Sequence, residues 1–264
     1  MKIAILTFQG FNELDSFIAL GVLNRVRKPG WRVALCCPEP EVTSMNGVTV
    51  RAQCSLEEAR SADAVIVGSG IRTREIAANA KLLGRLALDP KRQLIGAQCS
   101  GTLILAKLGL LGQVPACTDL TTKPWVQEAG VEVLNRPFYA QGNIATAGGC
   151  LSSPYLAAWI IARVEGTEAA AAALHYVAPV GEKDVYVSHA MGNITPCLPQ
   201  LAPISLGDRS RRPSAYHDGN ARARLRRGGP RRRHTPRACD AALAPYPERN
   251  PAAMNSSMLV AIRA

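Results

Sequence analysis

Residues 93–112, QLIGAQCSGTLILAKLGLLG, decide the fold of this chain. The stretch opens with a short apolar run that predicts a buried strand, and it continues in an apolar helical pattern for which Gly112 is the expected C-terminal cap. Cys99 lies between the two patterns. A sharp strand-to-helix turn would lift its side chain at the carboxyl edge of a sheet, where open α/β folds bind ligands. The pattern leaves open whether Cys99 is a nucleophile or a small buried hydrophobic residue.

Strand and helix patterns alternate on both sides of this stretch. Buried strands are predicted at 2–8, 31–37 and 63–70, helices at 11–26, 55–62 and 72–88, and a hairpin around Asn46-Gly47. Further strands are expected around Gly142-Asn143, followed by two helices within 153–177. Apolar strands that alternate with helices indicate an α/β domain whose mostly parallel sheet is covered by helices on both faces.

Charge and composition divide the chain near residue 198. The net charge is +11 over 264 residues, but residues 1–200 hold 18 basic and 16 acidic side chains, whereas residues 201–264 hold 13 arginines, no lysine and 4 acidic side chains. The second part also has too few large apolar residues for a packed core. We therefore predict an α/β domain over 1–198 and a disordered basic tail over 199–264. The tail is interpreted as a solvated segment, with a nucleic-acid-binding arm or a shifted reading frame as the alternatives.

The spacing of the cysteines and the lengths of the apolar runs indicate the cellular compartment of the protein. The eight cysteines show no C-x-x-C spacing, the N-terminus lacks a secretory signal pattern, and no apolar run approaches the roughly 20 residues of a membrane span. These features predict a cytoplasmic protein with free thiols and no membrane segment. No group of His, Cys and Asp has ligand spacing, so no metal is expected. Apart from Cys99 the cysteines, Cys150 included, are interpreted as structural.

Two further motifs are expected at the edge that carries Cys99. Asp15 lies in the first helical turn after the first strand, where it could cap the helix or, beside a thiolate, hold a raised pKa and donate a proton. The glycine-rich strand end with Ser69 and Gly70 could direct N–H groups at Cys99. The N-terminus of the helix that begins near Ser100 would lower the pKa of the Cys99 thiol and stabilise an oxyanion.

Taken together, these motifs resemble the DJ-1/PfpI (ThiJ/PfpI) superfamily, which has a class I glutamine amidotransferase-like fold. The resemblance covers residues 1–198 and rests on GFNELD (10–15), ADAVIVGSG (62–70), GAQCSGTLILAKLGLLG (96–112) and GNIATAGG (142–149). It implies a flavodoxin-like three-layer sandwich with a nucleophile elbow, no cofactor, and assembly as a homodimer. Leu14-Asp15 and Cys99-Ser100-Gly101 are most similar to the isocyanide (isonitrile) hydratase branch.

The resemblance also implies roles for site residues. Cys99 would attack the carbon of a small isocyanide, Asp15 would donate and recover the proton, and Ser100 would keep the hydroxyl and N–H of the family's threonine. The product would be an N-formamide, which makes the chain an isonitrile hydratase-like lyase or a related hydrolase. Asp119 stands where many relatives carry a histidine, and Ser69 where they carry a glycine. Ser69, Gly70, Gly101 and Asp119 are accordingly predicted to bind the oxyanion or the substrate.

Two other functions remain open at this point. Cys99 could be the reversibly oxidised thiol of a redox or stress sensor that is not an enzyme. The domain could also be the ligand-sensing half of a transcription regulator, although residues after 198 lack the two amphipathic helices of a DNA-binding module. Apart from the basic tail, nothing in the sequence points to a nucleic-acid partner.

Overall fold

A computed structural model describes residues 1–199. The predicted tail therefore lies outside the described residues from position 200 onward. The sheet and helix pattern confirm the predicted α/β fold with its mostly parallel sheet. In the described part of the chain, no helix combines the length and the apolar character that crossing a membrane requires.

The main sheet has seven strands in the order β5-β2-β1-β6-β7-β9-β8. The strands of this sheet are β1 (Lys2–Leu6), β2 (Arg32–Cys37), β5 (Cys54–Ser55), β6 (Ala64–Val67), β7 (Leu94–Gln98), β8 (Phe138–Gln141) and β9 (Ile144–Ala147). All pairings are parallel except that of β8 with β9, which form the predicted hairpin at Gly142-Asn143. The hairpin predicted at Asn46-Gly47 is also present, as strands β3 (Glu41–Thr43) and β4 (Thr49–Arg51).

Helices cover both faces of this sheet. They are α1 (Glu13–Leu23), α2 (Thr73–Ala78), α3 (Ala80–Leu83), α4 (Thr102–Lys107), α5 (Lys123–Glu128), α6 (Ser153–Glu165), α7 (Thr167–Val177) and α8 (Lys183–Ile194). Alternate residues of β1 enter opposite cores: Ile3 and Ile5 pack with α1 and α6, whereas Ala4 and Leu6 pack with α4. A strand that is buried on both faces has no polar alternation, which explains its continuous apolar sequence.

Strand order reverses at β1, and this positions the site. From β1 the chain passes through α1 to β2 on one side, and it later returns to β6 on the other side. Open α/β sheets bind ligands at such a switch point, beyond the carboxyl ends of the strands. The segments that follow β1, β6 and β7 carry Asp15, Ser69 and Cys99 to this edge.

Helix ends differ from the prediction in three places. Helix α4 ends at Lys107 because Gly109 adopts a φ of +69°, so Gly112 is not its cap. The helix predicted over 72–88 is interrupted at Asn79, whose backbone is extended and whose side chain caps α3. The helix predicted over 55–62 is a 3₁₀ turn, Glu57–Ser61. Helix α8 was not predicted.

The prediction of free thiols is wrong for one pair. Cys36 and Cys54 form a disulfide with a Cα–Cα distance of 4.5 Å. They lie directly opposite each other in the β2–β5 pairing, a neighbourhood that their spacing in the sequence does not reveal. Within residues 1–199 the remaining cysteines are free: Cys37, Cys99, Cys117, Cys150 and Cys197.

Candidate active site

Cys99 occupies a strained turn between strand and helix. Strand β7 ends at Gln98, the next three residues form a 3₁₀ turn, and α4 follows. In residues 1–199, Cys99 is the only non-glycine residue with a positive φ, +50°. A side chain in this conformation costs about 1 kcal/mol, and such strain concentrates at functional sites. The turn is the predicted nucleophile elbow.

Close backbone contacts hold the elbow against the sheet. A Cβ on Gly101 would lie 2.6 Å from the carbonyl oxygen of Val67 and 2.7 Å from that of Gly68. A Cβ on Gly70 would lie 2.3 Å from the carbonyl oxygen of Gly10. All three distances are shorter than a real Cβ contact. Close packing against the backbone therefore accounts for glycine at both positions, independently of any role in binding an oxyanion.

Asp119 is the polar neighbour of the Cys99 thiol. The thiol donates a hydrogen bond to Asp119 Oδ2 at 3.4 Å, and Asp119 Oδ1 accepts from the N–H of Thr122 at 2.9 Å. The Thr118 hydroxyl donates to the carbonyl of Cys99 at 2.9 Å. These bonds hold a carboxylate where it can accept the thiol proton, at the position that the sequence resemblance assigns to a histidine in many relatives.

Asp15 is fully buried in the first turn of α1. Ser69 Oγ donates a hydrogen bond to Asp15 Oδ2, whereas Oδ1 has no partner among the described residues. Burial raises the pKa of Asp15 from its ordinary 3.8 to about 6, and the hydrogen bond from Ser69 opposes this rise. Asp15 is therefore partly protonated near neutral pH and can donate a proton.

The pKa of Cys99 differs from the sequence-based expectation. Burial, with the side chain 7% exposed, raises the pKa of the thiol, and the negative charges of Asp15 and Asp119 raise it further. The expected lowering by the helix N-terminus is therefore wrong. The macrodipole of a helix as short as α4 does not outweigh desolvation and two carboxylates. Cys99 thus has to lose its proton as it attacks, rather than stand as a free thiolate.

Ser100 and Gly70 form hydrogen bonds with each other and with Thr73. Ser100 Oγ is 2.9 Å from Thr73 Oγ1, and the N–H of Gly70 donates to both hydroxyls, at 3.3 Å to Ser100 and 3.1 Å to Thr73. These contacts connect the elbow to the loop after β6. Oxyanion binding by Ser69, Gly70 or Gly101 stays a prediction.

Cys150 is a site residue that the sequence analysis missed. Its sulfur, the Cys99 sulfur and a carboxylate oxygen of Asp15 all lie within 4.8 Å of one another. Asn12 Nδ2 donates to Cys150 Sγ at 3.1 Å. Because β9 lies parallel beside β7, the residues that follow it return to the edge that carries Cys99. No local sequence pattern shows that these two strands are neighbours, so the sequence held no signal for Cys150.

Asp15, Cys99 and Cys150 together offer three ligand-type atoms. That is one fewer than a structural zinc site requires. A cavity of about 400 Å³ opens at the same edge of the sheet, between the segments after β1 and β2 and helix α2, but Cys99 does not line it. Cys99 is 7% exposed, so little of its surface is open to a reactant.

An α/β fold with a switch point and a cysteine on a strand-to-helix elbow, flanked by carboxyl groups, defines a class of cysteine-nucleophile proteins. The chain belongs to the DJ-1/PfpI family, whose sequence model matches residues 1–163. No curated protein matches the chain.

Solved structures share this fold. A ThiJ/PfpI family protein from Pseudomonas syringae is 18% identical, with a TM-score of 0.61 over 74% of this chain and 87% of its own. DJ-1 from Schizosaccharomyces pombe is 16% identical, with a TM-score of 0.58 over 68% of this chain and 100% of its own. Drosophila melanogaster DJ-1beta is 20% identical, with a TM-score of 0.59 over 67% of this chain and 96% of its own. At these identities the likeness establishes the fold alone.

Proposed function

We propose that the chain is a cofactor-free, cysteine-dependent enzyme that adds water to a small neutral electrophilic carbon, with an isocyanide as the substrate and an N-formamide as the product. The observation that carries the proposal is the 3.4 Å contact between the Cys99 thiol and Asp119, on an elbow that also lies beside the partly protonated Asp15. The site thus holds a nucleophile, a proton acceptor and a proton donor.

The first half of the reaction forms a thioimidate. Cys99 Sγ bonds to the terminal carbon of the isocyanide while Asp119 takes the thiol proton, and Asp15 donates its proton to the same carbon. The product of this half is a C–S bond, a new C–H bond and a C=N double bond. Asp119 is then protonated and Asp15 is ionised.

The second half releases the product. A water molecule gives a proton to Asp15 as its oxygen bonds to the thioimidate carbon, and the nitrogen takes the proton held by Asp119. The C–S bond then breaks, the hydroxyl proton returns to Cys99 Sγ, and the N-formamide leaves. Both carboxyl groups and the thiol regain their starting states.

Charge and access favour this substrate class. Two carboxyl groups beside the sulfur disfavour anionic substrates, and a side chain that is 7% exposed admits only a slender reactant. A neutral molecule with a terminal electrophilic carbon meets both conditions. We propose the cytoplasm as the location, where reductants would keep the Cys99 thiol free; the Cys36–Cys54 disulfide, with Cys36 buried, would have to resist the same reductants.

The test is hydration of a panel of small alkyl and aryl isocyanides, with small carbonyl compounds as a comparison set. We expect Cys99→Ala to lose activity by a factor of about 10³ or more, and Cys197→Ala, a half-buried cysteine outside the site, to retain it. Because Asp15 starts protonated, kcat/KM should fall as the pH rises through about 6. Activity that survives Cys99→Ala, or an inactive wild type across the whole panel, would overturn the proposal.

We further propose that two chains pair across the mouth of the site. Four exposed apolar side chains directly adjoin site residues in the sequence: Leu14 beside Asp15, Ile71 beside Gly70, Leu120 beside Asp119, and Leu151 beside Cys150. Exposed apolar residues grouped around a site are typical of interaction surfaces. A second chain that covers them would complete the water-excluding wall of the site.

A further inference from the structure

We propose that Cys150 is the resolving partner of Cys99: when a hydroperoxide oxidises Cys99, Cys150 captures it as a reversible intramolecular disulfide. The inference rests on the strained turn that carries Cys99 and on the position of Cys150 beside it, and it goes beyond the proposed hydration because it does not depend on the substrate.

The backbone brings the two cysteines together through the residues that precede them. Gln98 Nε2 donates a hydrogen bond to the carbonyl of Gly149 at 2.8 Å, so the residue before Cys99 is bonded to the residue before Cys150. The two sulfurs lie within 4.8 Å of each other. Gly148 and Gly149 precede Cys150, and Gly149 has a φ of +83°, a conformation open to glycine. Modest side-chain rotation would bring the sulfurs into bonding distance.

Cys150 is less enclosed than the other free thiols near the sheet. Burial and the charge of Asp15 raise the pKa of the Cys150 thiol, the hydrogen bond from Asn12 Nδ2 opposes this rise, and the side chain is half-buried. Cys37 and Cys117, by contrast, are fully enclosed free thiols. Cys150 is thus next to Cys99 and less enclosed than these two thiols.

The chemistry balances in two steps. In the first, Cys99 sulfur bonds to one oxygen of hydrogen peroxide, the O–O bond breaks, and water leaves with the thiol proton; sulfur loses two electrons and becomes a sulfenic acid. In the second, Cys150 sulfur bonds to Cys99 sulfur, the S–O bond breaks, and the departing hydroxide leaves as water with the Cys150 proton. A soluble dithiol then restores both thiols by thiol–disulfide exchange.

The experiment treats the full chain with stoichiometric hydrogen peroxide, blocks the remaining thiols, and maps the peptides by mass spectrometry without reduction. Trypsin alone leaves Cys117 and Cys150 on one peptide, 108–163, so a second digestion after glutamate is needed to separate them at Glu128 and Glu132. The expected product joins the Cys99 peptide, 93–107, to a peptide that contains Cys150. The Cys36–Cys54 pair falls on other peptides and is followed separately.

Variants distinguish a resolving thiol from a bystander. For this comparison each protein is treated with a several-fold molar excess of hydrogen peroxide, because sulfinic and sulfonic acid need a second and a third oxidising equivalent. In Cys150→Ser we expect Cys99 to proceed to sulfinic and sulfonic acid, with thiol labelling not recovered by dithiothreitol. The wild type and the matched control Cys197→Ser should recover it fully. Cys99 reaching sulfinic acid in the wild type without a cross-link, or equal recovery in Cys150→Ser, would overturn the proposal. If Cys150→Ser does not fold, the cross-linked peptide of the wild type decides alone. A protein that fails to hydrate isocyanides can still form the Cys99–Cys150 disulfide, and a protein that does not form this disulfide can still hydrate isocyanides, so the two tests are independent.

Discussion

At the scale of single residues, Cys99 lies in a strained turn and has a raised thiol pKa. Asp119 accepts a hydrogen bond from this thiol and contributes to the raised pKa. Burial is the largest cause of the raised pKa, followed by the charges of Asp15 and Asp119. Asp119→Asn removes one of these charges and the proton acceptor together. We expect the Cys99 pKa to fall and iodoacetamide to label the thiol faster at neutral pH, while turnover falls by a factor of about 10² or more.

The control for that prediction is Asp89→Asn, a carboxylate far from the elbow, which should change neither rate. Labelling and turnover that fall together in Asp119→Asn would contradict the assignment, because they would indicate a displaced sulfur rather than a lost base.

Asp15 carries the clearest pH dependence of stability. Its pKa rises from 3.8 to about 6 on folding, so the folded chain binds the proton more tightly than the unfolded chain does. Stability from this group is therefore complete below pH 3.8 and is lost as the pH rises through about 6. Ionised Asp15 thus costs on the order of 3 kcal/mol at neutral pH.

Asp15→Asn should remove that cost while leaving the Ser69 hydroxyl an oxygen to donate to. We expect the variant to unfold at higher urea concentration than the wild type at pH 8, with a difference that shrinks toward pH 4, although it loses hydration activity. Equal midpoints at both pH values would show that Asp15 is not desolvated as described.

The sequence predicts the residues of the site only where it also predicts which strands lie side by side. Asp15, Ser69 and Cys99 each follow an apolar strand, and parallel strands place such residues at one edge. Asp119 was singled out by resemblance alone. Cys150 was missed because no local pattern shows that β9 lies beside β7.

At the scale of elements, the long strands were predicted well, whereas the two-residue strand β5 and the helix ends were not. A strand buried on both faces leaves a continuous apolar run, but two glycines, Gly109 and Gly112, follow the α4 pattern, and the sequence does not say which one adopts a positive φ. Asn79 similarly caps α3 within a pattern that reads as one helix.

Contact between the elbow and β6 is the element-level feature that the site depends on most. Gly101→Ala would place a Cβ against two backbone carbonyls, which cannot move without displacing β6. We expect a loss of about 1–3 kcal/mol in unfolding free energy and a large loss of activity through the misplaced Cys99.

Gly21→Ala is the matched control for Gly101→Ala. Gly21 lies within α1, and a Cβ there meets nothing within 4 Å. Because alanine is the better helix former, this variant should be more stable by about 0.5–1 kcal/mol. Urea unfolding of both variants checks the pair, and a Gly101→Ala protein as stable and active as the wild type would show that α4 has room to shift.

At the scale of the whole molecule, the switch point gathers the Cys99 thiol, two carboxyl groups and a second thiol at an edge bordered by exposed apolar side chains. Leu120, 84% exposed, directly follows Asp119. An apolar side chain so exposed beside a half-buried carboxylate is most simply explained if another surface covers it. A second copy of the chain would then both hide Leu120 and restrict water at Asp119.

We predict a dimer whose contact surface includes Leu120. Light scattering of the full chain at micromolar concentration should give the mass of two chains. Leu120→Glu should give one chain and reduced hydration, since a charge at the contact is desolvated without a partner. Val180→Glu, at a position 93% exposed on the loop after α7, introduces the same charge away from the site and should leave both mass and activity unchanged. A monomeric wild type would reject the dimer. A Leu120→Glu protein that stays dimeric but loses activity would instead assign Leu120 to the entrance of a site that each chain completes alone.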